Sequence, residues 1–307
     1  MRINYLLLVH ETLGFKRLVD ALIGDHVFVY VHVDLKKDIR LFQNLVEEYQ
    51  EVYFIQNRVN VYWGGISMVT ATIALMKAVQ DSGCQRSYSV LMSGHDYPLV
   101  SHHKIVDFFN QDDGSMYISY EPVETAWDKS VVQKRLYSYN VHPFEYKRYV
   151  ATLTLKHQNL GAFLKAILSC ILRLKVKVFT KVFRKRVFPE KLIPYGGSQW
   201  WALPYDAIVK ILSFLEDHPQ YYIYHQYTHC ADEIFFHSII ASIFPKKKIK
   251  PSVTYVNWFR KACDLPVVFS HTDYKELDES GCLFARKFHP STSEEILRKL
   301  DLKRIKE

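Results

Sequence analysis

Two short segments in the last quarter of the chain carry side chains that could do chemistry together. Ala231-Asp232-Glu233 opens an apolar helical pattern, and further on Phe284-Ala285-Arg286-Lys287-Phe288 sets an adjacent cation pair between aromatics. A carboxylate at a helix start is rigidly aimed and ionised, as a general base must be. Arg supplies a bidentate fork and Lys a point charge, which together can neutralise a departing diphosphate. A divalent ion on an Asp-x-Asp motif would otherwise do that work, and the sequence contains no Asp-x-Asp. Its nearest relative, Glu276-Leu277-Asp278, falls in an expected exposed helix. The two segments predict a sugar transfer from a nucleotide diphosphate with no metal or other cofactor. Each also has a plain structural explanation. Asp232 can cap the helix, Glu233 is favoured there by the helix dipole, and a lone Arg-Lys pair can be a solvated strand edge.

A metal reading competes. His225, His229, Glu233 and His237 recur every four residues, and on one helix they would share a face as zinc or iron ligands of a metallohydrolase. Against this, Tyr227-Thr228-His229-Cys230-Ala231 is poor helix material, and His237 lies on an apolar face where packed histidines are common.

The elements that must position these residues follow from the hydrophobic pattern. Residues 3–9 and 27–33 read as buried strands, the second ending at Asp34. Residues 66–80 keep helical spacing, and 88–92 is a strand ending in Ser93-Gly94-His95-Asp96-Tyr97-Pro98. This is the rhythm of a βαβ sheet with functional loops at strand C-termini. Asp34 is placed to meet a base or ribose, and Trp63-Gly64-Gly65-Ile66-Ser67 leads into a helix with free N–H groups for the donor. A plain strand-end turn and a common Gly-Gly turn are the ordinary readings of these two. Residues 200–203 read as a strand, 204–216 and 233–243 as helices, and 252–258 as a strand.

The bulk numbers fit one large domain or two modest ones. The chain has 307 residues, 49% hydrophobic, which excludes disorder. Aromatics reach 15%, enough for a groove that stacks sugars, though an aromatic core explains most of them. The net charge of +8 is local. Between Glu145 and Glu190 stand eleven Lys and Arg and no acid, and without them the chain would be net acidic. Residues 146–189 therefore read as a basic amphipathic helix or helix pair. It is a surface for an anionic membrane leaflet, a solvated face, or the basis of a non-catalytic nucleic-acid-binding protein. Five scattered cysteines suit a reduced compartment. A strand starting almost at Met1 predicts neither a cleavable signal nor an N-terminal anchor, and the expected location is cytoplasmic, peripheral at the inner face of the membrane.

Taken in order, Val31-His32-Val33-Asp34, Trp63-Gly64-Gly65-Ile66-Ser67, Ser93-Gly94-His95-Asp96-Tyr97-Pro98-Leu99, Gly196-Gly197-Ser198-Gln199-Trp200, Ala231-Asp232-Glu233-Ile234-Phe235-Phe236 and Phe284-Ala285-Arg286-Lys287-Phe288 span nearly the whole chain. This collinear series resembles the core-2/I-branching N-acetylglucosaminyltransferase and peptide xylosyltransferase family in a compact, bacterial-type form. The resemblance implies a GT-A-like α/β fold, with a mixed, mostly parallel sheet flanked by helices and a basic helical insertion around 150–187. It implies a single domain, with 1–120 the nucleotide-sugar-binding half and 121–307 the acceptor-binding and catalytic half. It implies an inverting, metal-independent transfer from a UDP-sugar to a hydroxyl of a glycan or lipid-linked saccharide in surface polysaccharide synthesis, with no nucleic-acid partner.

Residue by residue, the resemblance makes Glu233 the base and assigns Arg286, Lys287, Asp34, Trp63 and Asp96 to the donor. Glu121, Trp127, Lys134, Arg135 and Trp200 fall on the acceptor side. Two positions depart from the family pattern. Gln199 stands where the xylosyltransferase branch carries Asp, which shifts the base role onto Glu233 and favours N-acetylglucosamine over xylose. Thr254 stands where the branching enzymes use Arg, with Arg260 the nearby arginine that could compensate.

Overall fold

The computed structural model describes residues 1–141, 151–153, 185–189 and 192–307. Of the expected basic helical insertion around 150–187, only residues 151–153 and 185–187 are among them. Fourteen strands are described: β1 Arg2–Val9, β2 Val27–Val33, β3 Val52–Phe54, β4 Ser87–Ser93, β5 Asp96–Pro98, β6 Met116–Ile118, β7 Glu121–Pro122, β8 Tyr139–Val141, β9 Ala151–Leu153, β10 Tyr195–Gly196, β11 Trp201–Pro204, β12 Ile249–Lys250, β13 Thr254–Val256 and β14 Phe284–Arg286.

Seven of them form the central sheet in the order β12-β6-β11-β4-β1-β2-β3. β1 pairs in parallel with both β2 and β4, while β11 runs antiparallel between β4 and β6. The apolar runs of β1 and β2 are continuous because both faces of the sheet are covered. Alternate side chains sort onto two cores. Tyr5, Leu7, Val9, Val29, Val31 and Val90 face the layer that includes helices Phe15–Leu22 and Glu294–Lys306. Leu6, Leu8, Tyr30 and Leu91 face helices Ser67–Asp81, Tyr205–Asp217 and Phe235–Ile243. This is the mixed, mostly parallel α/β architecture expected from the resemblance.

The topology collects loops on one edge. Leu8 lies opposite Ser93 and Val9 opposite Val33, so β1, β2 and β4 end side by side. β11 runs the other way, with Ala202 opposite Val90 and Pro204 opposite Tyr88, so its N-terminal end and Trp200 come to the same edge. Three boundaries differ from the sequence reading. The segment after Gly94 contributes a short strand, β5, to a second sheet, β13-β14-β5. The strand at 252–258 shortens to β13. Helix 233–243 begins at Phe235, because Ala231–Glu233 forms a separate 3-10 turn and Asp232 caps nothing.

Candidate active site

Arg286 owes its position to strand register. In the antiparallel pair of β14 and β5 it stands directly opposite Asp96, and Nη1 donates to Asp96 Oδ1 at 3.1 Å. The Asp96 carboxylate is buried and also accepts from Ser93 N at 2.8 Å and Ser93 Oγ at 2.9 Å. Burial pushes its pKa up, with Arg286 and the Ser93 bonds opposing. Burial likewise pulls the Arg286 guanidinium down, opposed by Asp96 and Asp232. The guanidinium lies over Trp200, 4.2 Å from the ring centroid. Asp96 and Trp200, expected at the donor and the acceptor, thus both meet Arg286. Lys287 is half-buried, its backbone tied to Val267 and Phe269, and its ammonium makes no ion pair among the described residues.

Glu233 is held by backbone on both sides. Its turn follows Cys230, whose φ of 52° is left-handed and whose N–H donates to the Gly64 carbonyl at 2.8 Å. Gly64, itself at φ 69°, packs so closely that a Cβ there would meet the His229 ring at 2.9 Å. From the other side Gly197 N donates to the Glu233 carbonyl at 3.0 Å. The side chain makes an ion pair with Arg135, Nη1 to Oε2 at 2.5 Å. Arg135 rides on the Trp127 ring at 4.2 Å from its centroid and belongs to a π-helical turn, Gln133–Tyr137, a form frequent at functional sites. The expected acceptor residues Trp127 and Arg135 therefore support the carboxylate.

Asp232 links the two groups. Its Oδ1 is enclosed and finds no hydrogen-bond partner among the described residues. Burial, then the neighbouring Glu233 charge, pushes its pKa up to about 7, with Arg135 and Arg286 opposing. One half-buried carboxyl thus feels both the Glu233–Arg135 pair and Arg286.

The remaining expected positions spread along the same edge. Asp34 is buried, accepts from Lys36 N at 3.0 Å and Val61 N at 3.4 Å, and meets Lys36 Nζ at 3.2 Å. It ties the end of β2 to the loop leading to Trp63. Trp63 is 55% exposed and meets His229 edge-on at 5.7 Å. Glu121 is exposed on β7, opposite Gly196 of β10.

Two expectations are corrected, and two further positions are placed. His225, His229, Glu233 and His237 do not share a helix face. His225 ends the helix Pro219–His225 among Phe188, Tyr221 and Phe235. His229 lies in the following loop. His237 is buried in a third element with Nε2 3.0 Å from the Ser198 carbonyl, and burial lowers it to about 4. Among the described residues these four do not gather as metal ligands. Arg260, the arginine near Thr254 that could compensate, is bound by Asp273 and Glu276 at 2.7 Å each. Glu276 lies on the expected exposed helix, Tyr274–Glu279, where it accepts from Tyr255, Asn257 and Arg260. Arg186, counted with the basic surface, is buried and donates to the carbonyls of Ser138, Tyr224 and Tyr227.

Sequence reasoning missed the Arg135–Glu233 pair, the enclosure of Asp232 Oδ1 and the support of Asp96 by Ser93. The first two join residues from distant parts of the chain and leave no local spacing. The third was legible, since Ser93 and Asp96 are the ends of one tight turn.

With this geometry in view, the comparisons are specific. The model of the Core-2/I-Branching enzyme family matches residues 3–280. Xylosyltransferase 2 of Rattus norvegicus is 25% identical over 98% of this chain and 33% of its own length. Xylosyltransferase 2 of Homo sapiens is 24% identical over 98% and 33%, and Xylosyltransferase oxt of Drosophila melanogaster 23% identical over 93% and 31%. The chain spans about one third of the length of these curated relatives. A family match running from β1 through the helix Tyr274–Glu279 covers the turn that bears Glu233 and stops just short of Arg286: the chain belongs to the Core-2/I-Branching enzyme family.

Proposed function

We propose that the protein is an inverting glycosyltransferase that moves a sugar from a UDP-sugar to a saccharide hydroxyl without a metal ion. One observation carries this reading. A partly buried arginine, fixed by Asp96 and Trp200, is followed by a lysine with no ion-pair partner among the described residues, on the sheet edge that also brings in Glu233 through Gly197. The fixed cations suit a departing diphosphate and the carboxylate suits an attacking hydroxyl.

In the proposed step the acceptor oxygen bonds to the anomeric carbon as that carbon's bond to the diphosphate oxygen breaks. The acceptor proton goes to Glu233 and UDP leaves with its charge met by Arg286 and Lys287. A single displacement from the opposite face inverts the configuration. Asp34 and Trp63 are the proposed contacts for the nucleoside end of the donor, and Glu121 for the acceptor.

Xylose and N-acetylglucosamine are the two sugars to weigh. The curated relatives are named xylosyltransferases, while Gln199, buried at this edge, favours N-acetylglucosamine. We take N-acetylglucosamine as the donor sugar and a glycan or lipid-linked saccharide of a surface polysaccharide as the acceptor. No helix among the described residues is long and apolar enough to cross a membrane, and residues 146–189 are the proposed contact with an anionic inner leaflet.

The test is UDP release from UDP-N-acetylglucosamine and UDP-xylose with saccharide acceptors, with and without excess chelator. Turnover is expected to persist under chelation and to fall about 10²–10⁴-fold in Glu233→Gln, with UDP binding unchanged. Normal turnover of that variant removes Glu233 from the role. Loss of activity on chelation, restored by manganese, removes metal independence. Flotation with anionic vesicles at low salt tests the membrane contact.

A further inference from the structure

A second constellation lies on the same sheet edge and takes no part in the transfer. β1 and β4 are adjacent and parallel, with Leu8 opposite Ser93. The chain therefore leaves both strands side by side, and His10-Glu11 after β1 meets His95 after β4. One ligand atom from each of the three lies within 4.8 Å of the other two. His10 Nε2 and Glu11 Oε1 are 3.3 Å apart, and the His10 and His95 rings cross at 63° with centroids 5.8 Å apart.

The third member distinguishes this cluster from an incidental contact between exposed neighbours. His95 Nδ1 lies 3.2 Å from the Phe288 carbonyl, and the His95 carbonyl accepts from Phe288 N at 2.8 Å. A ring whose Nδ1–H is given to a backbone carbonyl keeps its Nε2 lone pair for a ligand, the arrangement that orients metal-binding histidines. His10 and Glu11 are 54% and 45% exposed at their side chains, so an ion has an open approach.

Two imidazoles and one carboxylate suit a borderline cation of the zinc class, with the remaining positions open to water. We propose that His10, Glu11 and His95 bind one divalent cation of this class where the chain leaves β1 and β4. The proposal does not rest on the transfer reading and assigns the ion no step in it.

The test uses the metal-free full chain without nucleotide, titrated with Zn2+ by calorimetry and with Co2+ by visible absorption. One equivalent is expected to bind, and saturating Zn2+ to raise the melting temperature. His95→Ala and Glu11→Gln are each expected to weaken binding by at least about tenfold, while His103→Ala, at an exposed histidine elsewhere, leaves it unchanged. Glu11 is exposed, so its variant reports binding even if His95→Ala perturbs folding. No stoichiometric binding, or binding that survives Glu11→Gln, overturns the proposal.

Discussion

Arg135 and Glu233 form a direct ion pair at 2.5 Å, and the same guanidinium is stacked on Trp127. The pair joins residues 98 positions apart in the chain. A flat, delocalised cation between an aromatic face and a carboxylate fixes where that carboxylate points. The side chain of Glu233 nevertheless keeps 29% of its surface exposed, so an incoming hydroxyl can reach it.

Removing this positioning group should therefore reduce turnover more than donor binding. Arg135→Ala is expected to lower kcat roughly 10–100-fold, since small misplacements of a reacting group cost about that much, with KM for the donor nearly unchanged. Arg135→Lys should fall between, because an ammonium keeps the charge and loses the stack. Steady-state kinetics of both variants check this, and a wild-type kcat in Arg135→Ala would show that Trp127 and the backbone hold Glu233 unaided.

The buried Asp96 lies opposite the partly buried Arg286 in an antiparallel pair. Removing one partner of such a pair leaves the other charge buried and uncompensated, which costs about 3–5 kcal/mol. Asp96→Ala should lose that much stability in urea denaturation and also weaken UDP binding. Arg286→Ala should weaken UDP binding at least as strongly, leaving Asp96 as the uncompensated charge.

The raised pKa of Asp232 makes stability depend on pH. An unfolded aspartate ionises near 3.8, whereas this one is held protonated up to about 7. Across that window the folded state binds more protons than the unfolded, so stability falls as pH rises and levels off above it. Asp232→Asn removes this contribution. Measured by urea denaturation at pH 4, 5.5, 7 and 8, the variant is expected to gain on the wild type steadily up to about pH 7 and no further. A constant difference at all four pH values would place an ordinary carboxylate at this position.

Gly197 packs where no side chain fits. A Cβ there would come within 2.0 Å of the Ser119 carbonyl oxygen, which is backbone and cannot swing aside. Gly197→Ala should cost about 1–3 kcal/mol through forced backbone shifts. Because Gly197 N also holds the Glu233 carbonyl, turnover should drop with it. Thermal unfolding and kinetics on one preparation test the two effects together.

The sheet was legible because its signal is local. Unbroken apolar runs at 3–9 and 27–33 and helical spacing at 66–80 predict elements within a residue or so of β1, β2 and the helix Ser67–Asp81. Strand ends marked the edge that gathers the candidate residues, since parallel strands must leave it together. Boundaries failed where long-range contacts intervene. The turn Ala231–Glu233 is pinned by Gly64 and Gly197 from other parts of the chain, so it stays outside the helix that its apolar neighbours begin. Regular spacing of His225, His229, Glu233 and His237 misled for the same reason, because a period of four has meaning only on one continuous helix.

By itself, the sequence determined the α/β class, the edge where chemistry is possible and the residue types gathered there, because hydrophobic periodicity and residue chemistry are properties of short segments. Which charge meets which was decided only by the tertiary structure. Arg286 faces Asp96 through strand register, Arg135 reaches Glu233 across the fold, Arg260 is bound by Asp273 and Glu276, and Arg186 is buried among carbonyls. Pairing of charges depends on distances of a few ångströms between segments remote in the chain, and those distances exist only once the sheet has closed its two cores.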